Sequence, residues 1–288
     1  MPLADEYLNI LPEWLVKNPQ LSDQWVAAYI EAGGDANAEF ATKSATKIVR
    51  ESGGYQAVFP EMFDDEGNMR FVSDPEASYE RTMESYRNTL RSFNVNPDIF
   101  GEQLHTLIAG SVSAGEFIQR TEAIYENVIE SAPAIRNWYM ENFAKEMTDQ
   151  AIFASFIDGE NGPVSSAILD DRISMAQIGG EAEMRGFSID MDFADMLEDS
   201  GLTRQGAQQF FGQAATLLPT LSVLAARHAD PDDEFNLEDF TQATIFDDPA
   251  QRRRMRQLVA QEASTFTGGA QVEFTRSRAG GITGLATG

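Results

Sequence analysis

Glu51 is the residue in this sequence best placed to do chemistry. It heads Glu51-Ser52-Gly53-Gly54, and a carboxylate beside a glycine turn can act as general acid on a sugar chain. The competing reading is a helix end, because Glu31-Ala32-Gly33-Gly34 has the same form. Two acidic turns suggest calcium, one at Asp64-Asp65-Glu66-Gly67-Asn68 and one from Asp230 to Phe235. An EF-hand loop needs glycine at its sixth position and glutamate at its twelfth. Counting from Asp64 puts Met69 sixth; counting from Asp230 puts Phe235 sixth and Thr241 twelfth. Asp190, Asp192, Asp195 and Asp199 could ligate a divalent ion, yet their spacing gives Phe193, Met196 and Leu197 to a core and the acids to solvent. His105 and His228 are the only histidines, neither has a serine or cysteine partner motif, and the chain has no cysteine. No P-loop, dinucleotide or Gly-x-Ser-x-Gly pattern occurs. No residue therefore takes a catalytic, cofactor-binding or metal-binding role, and a protein without enzymatic activity is expected.

Partner binding is the better-supported chemistry. Arg252, Arg253, Arg254 and Arg256 form the only basic run of a chain whose net charge is −25. From Pro249 onward, these four with Arg276 and Arg278 face two acids, a balance of +4, which leaves −29 for residues 1–248. So acidic a body argues against sequence-specific nucleic-acid binding, which needs a basic face. Residues 264–288 read as an extended, flexible or docking C-terminal arm, glycine-rich, with Phe266, Phe274, Ile282 and Leu285 as apolar anchors. The arginines suit an acidic protein surface, including the body of another copy. No apolar run is long enough for a membrane span, and the first twenty residues lack the pattern of a secretion signal.

The elements that must position these residues are helices. A composition of 42% hydrophobic residues supports a buried core. Glycine stops and proline starts recur every 12–20 residues, predicting a mainly α fold of consecutive helical hairpins in one or two packed bundles. One helix is expected to open on Ser22, with Trp25, Val26, Tyr29 and Ile30 inward. The next turns Phe40, Ala41, Ala45, Ile48 and Val49 inward and stops at Gly53-Gly54. Residues 55–73 read as an irregular connector or short hairpin. Asp74-Pro75 and Asn96-Pro97 are expected to cap and start helices, the first carrying Tyr79, Met83, Tyr86, Leu90 and Phe93 on one face. Ser113 and Glu116 form an expected capping box. Later helices are expected at about 163–178, 190–199, 203–218, 236–245 and 249–262. The resulting organisation is an N-terminal helical segment 1–54, the connector 55–73, a main helical domain 74–263 and the arm. A weak internal duplication relates 91–125 to 185–218, pairing Arg91, Phe93, Val95 and Asp98 with Arg185, Phe187, Ile189 and Asp192.

Two resemblances bear on function. Glu51-Ser52-Gly53-Gly54 resembles the start of the lytic transglycosylase motif, but the segment that follows in that family is replaced here by Tyr-Gln-Ala-Val-Phe-Pro. Over roughly 48–288, the order of segments resembles a family of tailed-bacteriophage virion proteins. The segments include YERTMESYRNTLRSFNVNPDIF, LIAGSVSAGEFIQRTEAIYENV, AQIGGEAEMRGFSI, GLTRQGAQQFFGQAATLLPTL and RRRMRQLVAQEASTFTGGAQ. That resemblance implies a structural protein of the tail or of the head–tail or portal region. It would be made in the host cytoplasm, carried in the virion and partnered by other virion proteins, copies of itself included. The alternatives are a peptidoglycan-cleaving virion protein using Glu51, an acidic helical adaptor and a DNA mimic.

Overall fold

The computed structural model describes residues 7–157, 163–228 and 234–266. Fourteen α-helices account for most of them, and no strand occurs among the described residues. The helices are α1 Glu13–Val16, α2 Pro19–Glu31, α3 Ala38–Arg50, α4 Gly53–Val58, α5 Pro75–Ser92, α6 Gln103–Ala109 and α7 Ala114–Ile124. There follow α8 Pro133–Phe143, α9 Asp149–Ile157, α10 Ser166–Glu183, α11 Met191–Asp199, α12 Arg204–His228, α13 Leu237–Thr244 and α14 Pro249–Phe266. The connector at 55–73 consists of most of α4, a 3-10 turn at Pro60–Met62 and an isolated antiparallel bridge between Phe63 and Met69. The chain divides into two compact units, Met1–Thr121 with Phe156–Val164, and Glu122–Ser155 with Ser165–Gly288. The expected boundaries after residues 54 and 73 both fall inside the first unit.

In the first unit, α2 and α3 form a hairpin held by Trp25, Val26 and Tyr29 against Ala41, Ala45 and Val49, all buried. Alanines at positions i and i+4 let the two backbones approach closely, which narrows the buried stripe of α3. Phe40 and Ile48 each sit one residue, about 100°, off that stripe. Expected inward, they are exposed, as is Ile30. The helix expected from Ser22 begins earlier, at Pro19, because Ser22 is buried and donates its hydroxyl proton to the Leu15 carbonyl at 2.7 Å. Trp14 packs edge-on to Tyr55 at 5.6 Å. Tyr79, Met83, Tyr86 and Leu90 line the buried face of α5 as their spacing predicts. Asp74 does not cap this helix through its side chain: it sits at φ 48°, and Pro75 opens the helix at the first position. Asn96-Pro97 starts only a 3-10 turn, Pro97–Ile99, and the α-helix waits until Gln103.

In the second unit, α8 crosses α10 at Gly179-Gly180. A Cβ on Gly180 would lie 2.5 Å from the Ile135 Cα, and one on Gly179 would enter the Trp138 ring. The helix expected to stop at this glycine pair therefore continues to Glu183, since the glycines serve close approach rather than termination. The next residue, Glu181, is only 1% exposed and accepts from Arg185 Nη1 at 2.7 Å, Gln208 Nε2 at 2.8 Å and Arg204 Nε at 3.2 Å. These bonds tie α10 to α12. Around them Leu197, Phe210, Phe211, Leu221, Phe235, Phe240 and Leu258 form a continuous core. Trp138 is the buried tryptophan of this unit, whereas Trp14 and Trp25 belong to the first. Helix α12 reaches ten residues beyond its expected end, running through Pro219. The leading helices of the paired segments 91–125 and 185–218 close alike, on left-handed Asn94 and Gly186, with Val95 N donating to the Leu90 carbonyl and Phe187 N to the Ala182 carbonyl, each at 3.0 Å. The closure nonetheless falls out of register with the pairing of Phe93 to Phe187.

Candidate protein-docking site

Helix α14 begins where Asp248 Oδ1 accepts from Ala250 N at 2.7 Å and Gln251 N at 2.9 Å, an N-cap followed by proline. It packs on α12 and α13, burying Leu258. That orientation leaves a surface-open groove of about 390 Å³ against α12, lined by Leu217, Leu221, Met255, Arg256, Val259 and Ala260. Leu217 is 44% exposed and Val259 40%, so the groove presents apolar carbon to water.

The structure separates the four arginines predicted to bind a partner. Arg254 is turned inward, with Nη1 on Asp239 Oδ2 at 3.0 Å, Nη2 on the Glu234 carbonyl at 3.3 Å and its guanidinium 5.4 Å from the Phe235 ring centre. Arg252 pairs with Asp247. Arg253 and Arg256 are exposed. Phe274, Arg276, Arg278, Ile282 and Leu285 lie outside the described residues, as does the side chain of Phe266. Reasoning from the arginines alone missed the groove, although the sequence held a signal for it. Helix α12 has 25 residues and no acid, and α14 has 18 with Glu262 alone, in a chain of 46 acids.

The candidate chemical residues are dispersed. Glu51 is the C-cap of α3, its side chain 66% exposed and 3.8 Å from Lys47. Ser52 caps α4, accepting from Tyr55 N at 3.2 Å, so the glycine pair after it starts a helix and ends none. The neighbouring carboxylate, Glu76, is committed: Arg50 Nε and Nη2 donate to it at 2.9 and 2.6 Å, and the Tyr55 hydroxyl at 2.8 Å. Burial, then Glu76, pushes the Tyr55 phenol well above its usual range. Asp64 accepts from Asn68 N at 2.7 Å and Glu66 N at 3.0 Å, and these bonds, Asn68 first, hold its carboxyl below the ordinary range. Asp190 caps α11 through Phe193 N at 2.9 Å. His105 Nδ1 meets the Tyr79 hydroxyl. Among the described residues, no group of three or more His, Asp or Glu is arranged to hold a metal ion. Residues 230–233 of the second acidic turn lie outside the described residues.

Comparison with protein families, with curated proteins and with solved structures gave no match in any of the three. No helix among the described residues is long and apolar enough to cross a membrane.

Proposed function

We propose that this protein is a non-catalytic structural component of a bacteriophage particle, of its tail or of the head–tail or portal region, that assembles through protein–protein contacts. The observation that carries the reading is the α12–α14 groove: apolar, open to solvent and lined by Arg256, with Arg253 exposed on the same helix, in a chain of net charge −25. An acidic surface keeps copies soluble and apart before assembly. A local apolar patch with basic neighbours then supplies both the burial and the orientation that a specific contact needs. The resemblance of the segment order supports a virion setting for such a component. Glu51 supports the non-catalytic half, since a glycosidase acid works from an apolar pocket and Glu51 is exposed beside a lysine.

The arm from residue 264 acts in the same reading as a tether onto a neighbouring subunit. Each fully buried aromatic or leucine contributes about 1.5–3 kcal/mol. Ordering a glycine-rich backbone costs about 1–2 kcal/mol per residue, so backbone hydrogen bonds to the neighbour must add to the anchors. Helix α14 takes in the first three residues of the arm, so truncation after Phe266 leaves α14 whole, keeps that one anchor, removes Phe274, Ile282 and Leu285, and tests the tether in the intact particle. The expected result is loss of the truncated chain from particles while its purified form keeps a wild-type helical circular dichroism spectrum. Particles that incorporate it fully and stay infectious would overturn the tether. A zymogram with cell-wall clearing abolished by Glu51→Gln would replace the whole reading with the enzymatic one.

A further inference from the structure

We propose that the α12–α14 groove receives the acidic face of α10 and α11 from a second copy of this chain, joining copies head to tail. The inference rests on the reading of the chain as a self-assembling particle component, and it names the two surfaces that meet.

One surface is the groove. Across α12 and α14 the acidic shell is interrupted, with Glu262 the lone acid against Arg204, Arg227, Arg252, Arg253, Arg254 and Arg256. Arg204, Arg227, Arg252 and Arg254 are engaged within the protein, Arg256 lines the groove and is exposed, and Arg253, exposed on the same helix, donates its Nε to the Pro249 carbonyl at 3.1 Å. The occupant must therefore bring carboxylates flanking apolar side chains. Residues 267–288 do not fit that description, because Arg276 and Arg278 would be set against Arg253 and Arg256. Nucleic acid does not fit either, since a body of net −29 repels phosphate on every side of so small a patch.

The other surface lies on the same unit. Asp171 on α10 and Asp192, Asp195 and Asp199 on α11 are exposed, with Glu198 partly buried among them. Met191 on α11 is 44% exposed and Ile168 on α10 is 50% exposed, so apolar carbon accompanies the acids. Burial, then Asp171, Asp199 and Asp195, pushes the Glu198 carboxyl above its ordinary range. A cation brought in from outside would relieve that crowding. Helix α11 packs on α10 and α14 packs on α12 and α13, with α10 and α12 in contact between them, so the acids and the groove lie on different helices of one unit. Each copy carries one of each. A contact between unlike surfaces is heterologous, and it propagates into a ring or a filament where a like-with-like contact would stop at a pair.

The test is a charge swap in the full chain, read by sedimentation velocity at low salt. One variant carries Arg253→Glu and Arg256→Glu; the other carries Asp195→Arg and Asp199→Arg. All four positions are exposed, and circular dichroism checks that both variants fold. Wild-type chains are expected to associate, and either variant alone to lose at least about tenfold in association constant. An equimolar mixture of the two should recover association, because each reversed surface then finds its complement. Either variant associating as the wild type does, or a mixture that fails to recover, overturns the proposed surfaces. So does a wild type that stays monomeric up to its solubility limit. None of these outcomes touches the wider reading, which fails instead on absence from particles or on Glu51-dependent cell-wall clearing.

Discussion

Glu76 and Glu181 are buried carboxylates, and the stability of each unit leans on one of them. Glu76 takes two bonds from Arg50 and one from the Tyr55 hydroxyl. Tyr55→Phe removes one donor from a buried anion, and a loss of about 1–2 kcal/mol in urea unfolding is expected. At Glu181, burial alone would raise the carboxyl, but Gln208, Arg185 and Arg204 together bring it below the glutamate value of 4.5. A carboxyl depressed by folding stabilises fully above its unfolded value and loses that contribution as pH falls through the folded one. Glu181→Gln should therefore cost about 1.5–3 kcal/mol at neutral pH. The gap to wild type should close as urea titrations move below about pH 4. Neither cluster was legible in the sequence. Apart from Arg185, four residues from Glu181, their partners lie 21 to 27 residues away, and helical periodicity relates only residues three or four apart.

Elements were far more legible, because each is punctuated by residues whose backbone preferences act locally. The three Gly-Gly pairs among the described residues show where that legibility ends. Gly33 and Gly34 have φ of 109° and 55° and do terminate α2. Gly53-Gly54 opens α4 behind Ser52, and Gly179-Gly180 lies inside α10 where α8 comes closest. One dipeptide thus serves as stop, start and contact, and only the neighbouring helix distinguishes the third use. Gly180→Ala is expected to lower stability by about 1–3 kcal/mol through overpacking against Ile135, measured in urea. Gly115→Ala in α7 meets nothing within 4 Å of its new Cβ. It should raise stability by about 0.5–1 kcal/mol through helix propensity alone. The α12–α14 groove falls between these cases. Its two helices, with Glu262 their lone acid, were visible in the sequence, but that they are neighbours was not.

At the scale of the whole molecule, a net charge of −25 makes compaction work against self-repulsion. Raising ionic strength from 0.01 M to physiological shortens the screening length from about 30 to about 8 Å. A rise in Tm with added sodium chloride is therefore expected, most steeply at the low end of the titration. The opposite trend would mean that attraction between unlike charges dominates. The two units also differ in which indole rings they hold. With Trp14 and Trp25 in the first and Trp138 in the second, intrinsic fluorescence comes already sorted by unit. In a chain carrying Trp14→Phe and Trp25→Phe, all indole emission arises beside Gly179. A red shift during denaturant titration would then time the opening of that one helix crossing, without a label and without a signal from the first unit.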